Sequence, residues 1–113
     1  MIAYTTNTFG LRDKDMHYMH DLFIAFPAID KVILYGSRAR GNFRKGSDVD
    51  LAIVGANISF TDISRIHFLL ENEGPTPLWF DVLHYDTLKN ERLKHFIDQE
   101  GIVIYEKGRT ASL

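Results

Sequence analysis

Cysteine is absent from this chain, which removes both a disulfide scaffold and a thiolate metal site. That absence fits a reducing compartment, and a cytoplasmic location is expected. No apolar run approaches the ~20 residues needed to cross a bilayer. The longest, Leu22 to Ile29, is interrupted by Pro27. A basic segment leading into an apolar stretch is missing near Met1, so no signal peptide is visible. Neither charge sign dominates. A formal net charge of −2 argues against a broad nonspecific face for nucleic acid. Internal repeats and low-complexity segments are also lacking.

What remains is an ordinary globular composition. Of 113 residues, 45% are hydrophobic and 25% charged, which fits a single domain over residues 1–113. A chain of this size buries roughly two-thirds of its unfolded surface. Residues 1–10, polar and ending in Gly10, read as a loose lead-in, and 106–113 as a loose tail. From Asp13 the apolar residues Met16, Met19, Phe23 and Phe26 recur at helical spacing, until Pro27 stops the helix. Lys31 to Tyr35 and Val49 to Val54 read as strands, with a turn over Gly55 to Ser59. Asp62 to Glu73 reads as a helix capped by Thr61, with Ile63, Ile66, Leu69 and Leu70 on one face. Leu78 to Tyr85 is a third strand. Leu88 to Gln99 follows as a helix with Leu93, Phe96 and Ile97 inward, and Ile102 to Tyr105 is a last strand. Helices and strands alternate, so the expected class is α/β or α+β.

Chemistry concentrates in Leu34 to Leu51, LYGSRARGNFRKGSDVDL. A buried strand runs into Gly36 and Ser37, then into a short helix. Glycine lets the backbone approach a ligand closely, the helix start offers free N–H groups to an anion, and Ser37 adds a hydroxyl. Arg38, Arg40, Arg44 and Lys45 supply positive charge, so the anion reads as phosphate. Asp48 and Asp50 lie two residues apart on a strand, which points both carboxylates to one face. Such a pair repels itself unless a cation intervenes. Hard oxygen ligands suit Mg²⁺ held jointly with substrate phosphates. With each residue type used at roughly one in fifteen, four fixed positions coincide about once in 50,000 starts, which raises the combination above a chance match.

Gly36-Ser37, ten residues, then Asp48-Val49-Asp50 resembles the signature of the polymerase-β nucleotidyltransferase superfamily. The fuller YGSRARG and SDVDL wording is similar to its minimal nucleotidyltransferase branch. The resemblance implies a small mixed β-sheet flanked by helices. It implies that Gly36 and Ser37, with Arg38, Arg40, Gly41 and Ser47 around them, hold the triphosphate of ATP or another NTP. Two metal ions, Mg²⁺ or alternatively Mn²⁺, would sit on Asp48, Asp50 and a third carboxylate. Asp81 fits that third role, being the one acid in an apolar and aromatic strand, where an unpaired charge is costly. Asp86, just beyond, is its competitor and reads better as a turn residue. The five histidines show no metal-ligand spacing.

A chain of this length leaves no room for an acceptor-binding domain, so the acceptor is expected on another polypeptide. Members of the minimal branch pair with a small helical protein of the HEPN class or with a substrate-binding subunit. By that resemblance the chain is an antitoxin that adenylylates its partner at a hydroxyl. Phe43, Trp79 and Tyr85 are candidate contacts at the mouth. Two other readings stand beside it. One is a regulator that neutralises its partner by binding alone, and the other is the catalytic subunit of a two-subunit enzyme acting on a small molecule or RNA end. Self-association is left open.

Overall fold

The computed structural model describes residues 7–108. In chain order the elements are α1 (Asp13–Ile24), β1 (Lys31–Tyr35), α2 (Ser37–Arg40), β2 (Val49–Val54), α3 (Phe60–Asn72), β3 (Phe80–His84), α4 (Glu91–Glu100) and β4 (Ile102–Glu106). Val32 to Tyr35 are buried without alternation, as a strand covered on both faces must be. It accordingly lies inside the sheet, whose order is β3-β2-β1-β4. β1 runs antiparallel to β2 and to β4, whereas β2 and β3 are parallel. The sheet is therefore mixed, as the resemblance implied. Parallel neighbours need a long crossover, and α3 supplies it.

The two faces are unequal. Val32, Leu34, Val49, Leu51 and Ile53 point to the larger core, where Met19, Leu22 and Phe23 of α1 meet Ile63, Ile66 and Leu70 of α3. Ile33, Tyr35 and Ala52 face the other way, onto Ile97 of α4. This second core is small, and α4 covers only part of the face.

Several local expectations change. Ser59, not Thr61, caps α3: its hydroxyl accepts from the Asp62 amide at 3.0 Å, so the helix opens earlier than the apolar pattern does. The fourth helix begins at Glu91 rather than Leu88. Asn90 caps it by accepting from the Leu93 amide at 3.1 Å, and Tyr85–Thr87 forms a separate 3-10 turn. Phe96, expected inward, is 47% exposed, whereas Ile97 is buried. The lead-in is more ordered than its polarity implies, because Asn7 Oδ1 accepts from the amides of Phe9 and Leu11, both at 3.0 Å, and Leu11 is buried. At the other end the Lys107 amide donates to the Asp30 carbonyl at 2.8 Å. The rest of both expected loose segments, 1–6 and 109–113, lies outside the described residues.

One buried acid ties α1 to the approach of β3. Asp15 accepts from the Arg12 amide, from Arg12 Nε and Nη2, and from the Thr76 hydroxyl, all at 2.9 Å. Burial alone would raise this carboxyl, but the Arg12 and Thr76 hydrogen bonds outweigh it and hold the group below the usual carboxylate range. A depressed acid stabilises the fold above its unfolded pKa, and that contribution disappears as pH falls through the folded value. Asp15→Ala should therefore cost about 2–3 kcal/mol near pH 7, somewhat below the range for a fully buried pair because Arg12 is partly exposed. Urea unfolding of both proteins at falling pH should show the gap closing in the acid range; a constant gap would contradict the assignment.

Candidate active site

Everything at the site turns on the end of β1. Gly36 has φ 79° and ψ −156°, a conformation that L side chains rarely adopt. A Cβ added there would run into the Asp50 carboxylate. Glycine thus serves twice, turning the chain and leaving room for the acid. The single helical turn α2 follows and is closed by Gly41 at φ 83°. Amides at the start of a helix have no intrahelical acceptor, and the Ser37 hydroxyl has no partner among the described residues.

Beside this turn the sheet register builds a polar row. Tyr35 of β1 is opposite Asp50 of β2, and Asp50 is opposite Asp81 of β3. Residues directly opposite one another share a face, so all three side chains rise from the α4 side of the sheet. Asp48 stands just before the first residue of β2 and is exposed, as is Asp81, whereas Asp50 is half-buried. Burial, then Asp81, then Asp48 push the Asp50 carboxyl up to about 6, against the pull of Arg38 and Arg40. The Tyr35 phenol is raised for related reasons, first by burial and then by Asp81 and Asp50.

At Asp50, burial and two neighbouring carboxylates outweigh two guanidiniums. Among the described residues, no three His, Cys, Asp or Glu side chains converge closely enough to grip an ion alone. Mg²⁺ does not require that, since it keeps several waters and takes one or two carboxylates together with substrate phosphates. An all-oxygen row in which one carboxyl is raised to about 6 by burial and by its neighbours fits such an ion, whose charge would offset that strain. Asp86 is occupied elsewhere: its Oδ1 accepts from the Gly55 amide at 2.8 Å, and the His84 ring lies 3.5 Å away.

The basic residues divide into two kinds. Arg38 is buried, and its Nε and Nη2 donate to the Ser47 carbonyl at 3.1 and 2.8 Å. Its Nη1 reaches the Phe9 carbonyl at 2.8 Å, and the guanidinium lies 4.7 Å from the centre of the Phe43 ring. Arg38 therefore ties the lead-in and the 41–47 loop to α2. Ser47 completes that loop, its hydroxyl donating to the Arg44 carbonyl at 2.7 Å and accepting from the Arg44 amide at 3.0 Å. Arg40 is exposed and reaches Glu100 at 3.4 Å. A cleft of about 450 Å³ opens behind Arg38, lined by Gly10, Arg12, Asp15, Phe43, Lys45 and Pro77 among others, and neither the three acids nor the Gly36–Ser37 turn contributes to its wall. Reading the sequence for charge singled out the acids but left Tyr35 as a strand residue. Its parity with Ile33, opposite to that of Val32 and Leu34, is the signal that places it on the acid face.

The family model for polymerase β nucleotidyltransferases matches residues 19–110. No curated protein sequence matches the chain. Among solved structures, the fold is similar to a chain of a toxin–antitoxin complex with AMP-PNP, with a TM-score of 0.68 at 15% identity, covering 85% of this chain and 75% of that one. It is also similar to a chain of the toxin–antitoxin MntA–HepT, with a TM-score of 0.63 at 14% identity, over 81% and 70% respectively.

The raised Asp50 carboxyl has a thermodynamic consequence. An acid whose folded pKa exceeds its unfolded value destabilises the fold as pH rises from about 4 to about 6, because the folded state holds the proton more tightly. In metal-free buffer Asp50→Asn should accordingly melt higher than the wild type above pH 6. The difference should shrink toward pH 4, and Mg²⁺ should narrow it from the other side by stabilising the wild type. Melting curves that coincide at every pH would show that the row carries no repulsion.

Proposed function

Because the chain belongs to the polymerase-β nucleotidyltransferase family, we propose that it moves a nucleoside monophosphate, AMP from ATP, onto a hydroxyl of a partner protein. The observation that carries this reading is the register that sets Asp50 beside Asp81, next to the Gly36–Ser37 turn. In this reading the α2 amides and the Ser37 hydroxyl donate to the triphosphate. Arg40, Arg44 and Lys45 contribute field at the mouth, whereas Arg38, Gly41 and Ser47 shape the loop that presents it. Asp48, Asp50 and Asp81 would hold divalent ions, Mg²⁺ by preference. Bound there, they would offset the carboxylate repulsion and stabilise charge on the transferring phosphoryl group.

The acceptor oxygen forms its bond to the α-phosphorus as the bond to pyrophosphate breaks. The hydroxyl proton passes to Asp81, at the edge of the row and open to an incoming group. A partner supplies that hydroxyl. Two of the solved relatives support a nucleotide and a protein partner by analogy, one being a toxin–antitoxin complex with AMP-PNP and the other MntA–HepT. In this role the chain is an antitoxin toward a helical partner of the HEPN class. Of the three candidate contacts, Phe43 lies beneath Arg38 and Tyr85 donates to Asp98 at 2.6 Å. Trp79 is 69% exposed directly before β3, and aromatic anchors dominate interfaces.

The test is transfer of label from ATP to a co-expressed partner, followed by mass spectrometry. Asp48→Asn and Asp50→Asn should each lower turnover about a thousandfold, which corresponds to roughly 4 kcal/mol of lost transition-state stabilisation. Both variants should still bind the partner. A double variant that neutralises the partner fully, with no AMP added to the partner by the wild type, would establish the binding-only regulator instead.

A further inference from the structure

The proposal rests on the reading of the acid row as a metal-binding site, and it concerns the one member of that row that is not an acid. Tyr35 is 8% exposed, with its ring packed in the small core beneath α4. Its hydroxyl makes no hydrogen bond to any described residue. Among the described residues, no side-chain nitrogen or oxygen is both sealed from solvent and unpartnered. The phenol oxygen must therefore sit in the small part of Tyr35 that remains open. Register places Tyr35 directly opposite Asp50, one strand from Asp81, on the face where both carboxylates stand. Gly36 follows at once, and the Asp50 carboxylate lies over its backbone. A buried ring thus presents an unspent O–H donor at the edge of a carboxylate row.

We propose that Tyr35 is a positioning residue for the metal-binding row, its hydroxyl donating to the Asp50 or Asp81 carboxylate oxygen that does not face the ion. A carboxylate that ligates a cation through one oxygen keeps lone pairs on the other. A fixed donor there selects one rotamer and lowers the ordering cost of binding. The ring is suited to this because its packing leaves it little freedom. Phenylalanine would fill the same core space and leave the carboxylate without a donor, so the packing alone does not account for a tyrosine.

Tyr35→Phe removes the oxygen and keeps the ring. Because the hydroxyl has no protein partner, the variant should melt within about 2 °C of the wild type in metal-free buffer. The readout is Mn²⁺ bound at a fixed concentration of a non-hydrolysable ATP analogue, measured from the paramagnetic resonance signal of free Mn²⁺. Tyr35→Phe should weaken Mn²⁺ binding about tenfold, the lower end of the effect for partners of metal ligands, and Asp50→Asn should weaken it further. In transfer assays Tyr35→Phe should lower kcat at saturating Mg²⁺ with little change in KM for ATP. Wild-type Mn²⁺ affinity in Tyr35→Phe, with affinity lost in Asp50→Asn, would overturn the role of Tyr35 and leave the metal site standing. Wild-type affinity in both variants would overturn the metal-site reading itself.

Discussion

The Asp50 carboxylate occupies the place where a side chain on residue 36 would otherwise be. With that exclusion go the positive φ of Gly36, the single helical turn of α2 that follows, and the close approach of an acid to the start of that turn. The sheet reinforces the same point. β1 brings Tyr35 to the end of its pairing with β2, and the parallel alignment of β2 and β3 brings Asp81 level with Asp50. Two like charges then share one face with a third close behind. The fold tolerates this because the larger core, on the opposite face, carries most of the buried apolar surface and does not depend on the row.

Packing at the periphery keeps the row in register. Arg12, Asp15 and Thr76 lock the start of α1 to the segment that enters β3. Arg38 binds the lead-in and the 41–47 loop to α2 through backbone carbonyls. Glu71 Oε2 on α3 accepts from the Phe80 amide at 2.8 Å, satisfying the first exposed donor of the edge strand. These polar ties all lie at the end of the sheet where the acids are, and two of them, Arg38 to Phe9 and Thr76 to Asp15, join segments distant in sequence. A site that faces solvent and carries like charges needs rigid support from outside its own members.

Much of this was legible in the sequence because it is local. Strand identity followed from short β-branched runs, and the pairing of Gly36-Ser37 with Asp48 and Asp50 followed from spacing. The choice between Asp81 and Asp86 was read from the apolar character of the strand around Asp81. In the fold Asp86 accepts from the Gly55 amide, whereas Asp81 lies level with Asp50 across the parallel pair. What escaped was decided by tertiary contact. Ser59 outcompeted Thr61 because cap choice depends on which hydroxyl meets an amide at the right distance. Phe96 is exposed because α4 covers only part of its face. Arg38 reads as a phosphate ligand by charge, yet its Nε, Nη1 and Nη2 each donate to a backbone carbonyl, from segments that charge alone does not bring to mind. Tyr35 was hidden for the converse reason, since a buried strand residue shows its hydroxyl only once the neighbouring strands are in register.

The central claim is that the acid row needs a cation before it can accept a nucleotide. Calorimetric titration of a non-hydrolysable ATP analogue into the protein, with and without Mg²⁺, tests this most directly. The account predicts weak binding in the absence of divalent metal and a gain of at least tenfold in its presence, because the carboxylates repel the triphosphate until their charge is offset. Equal affinity under the two conditions would contradict it.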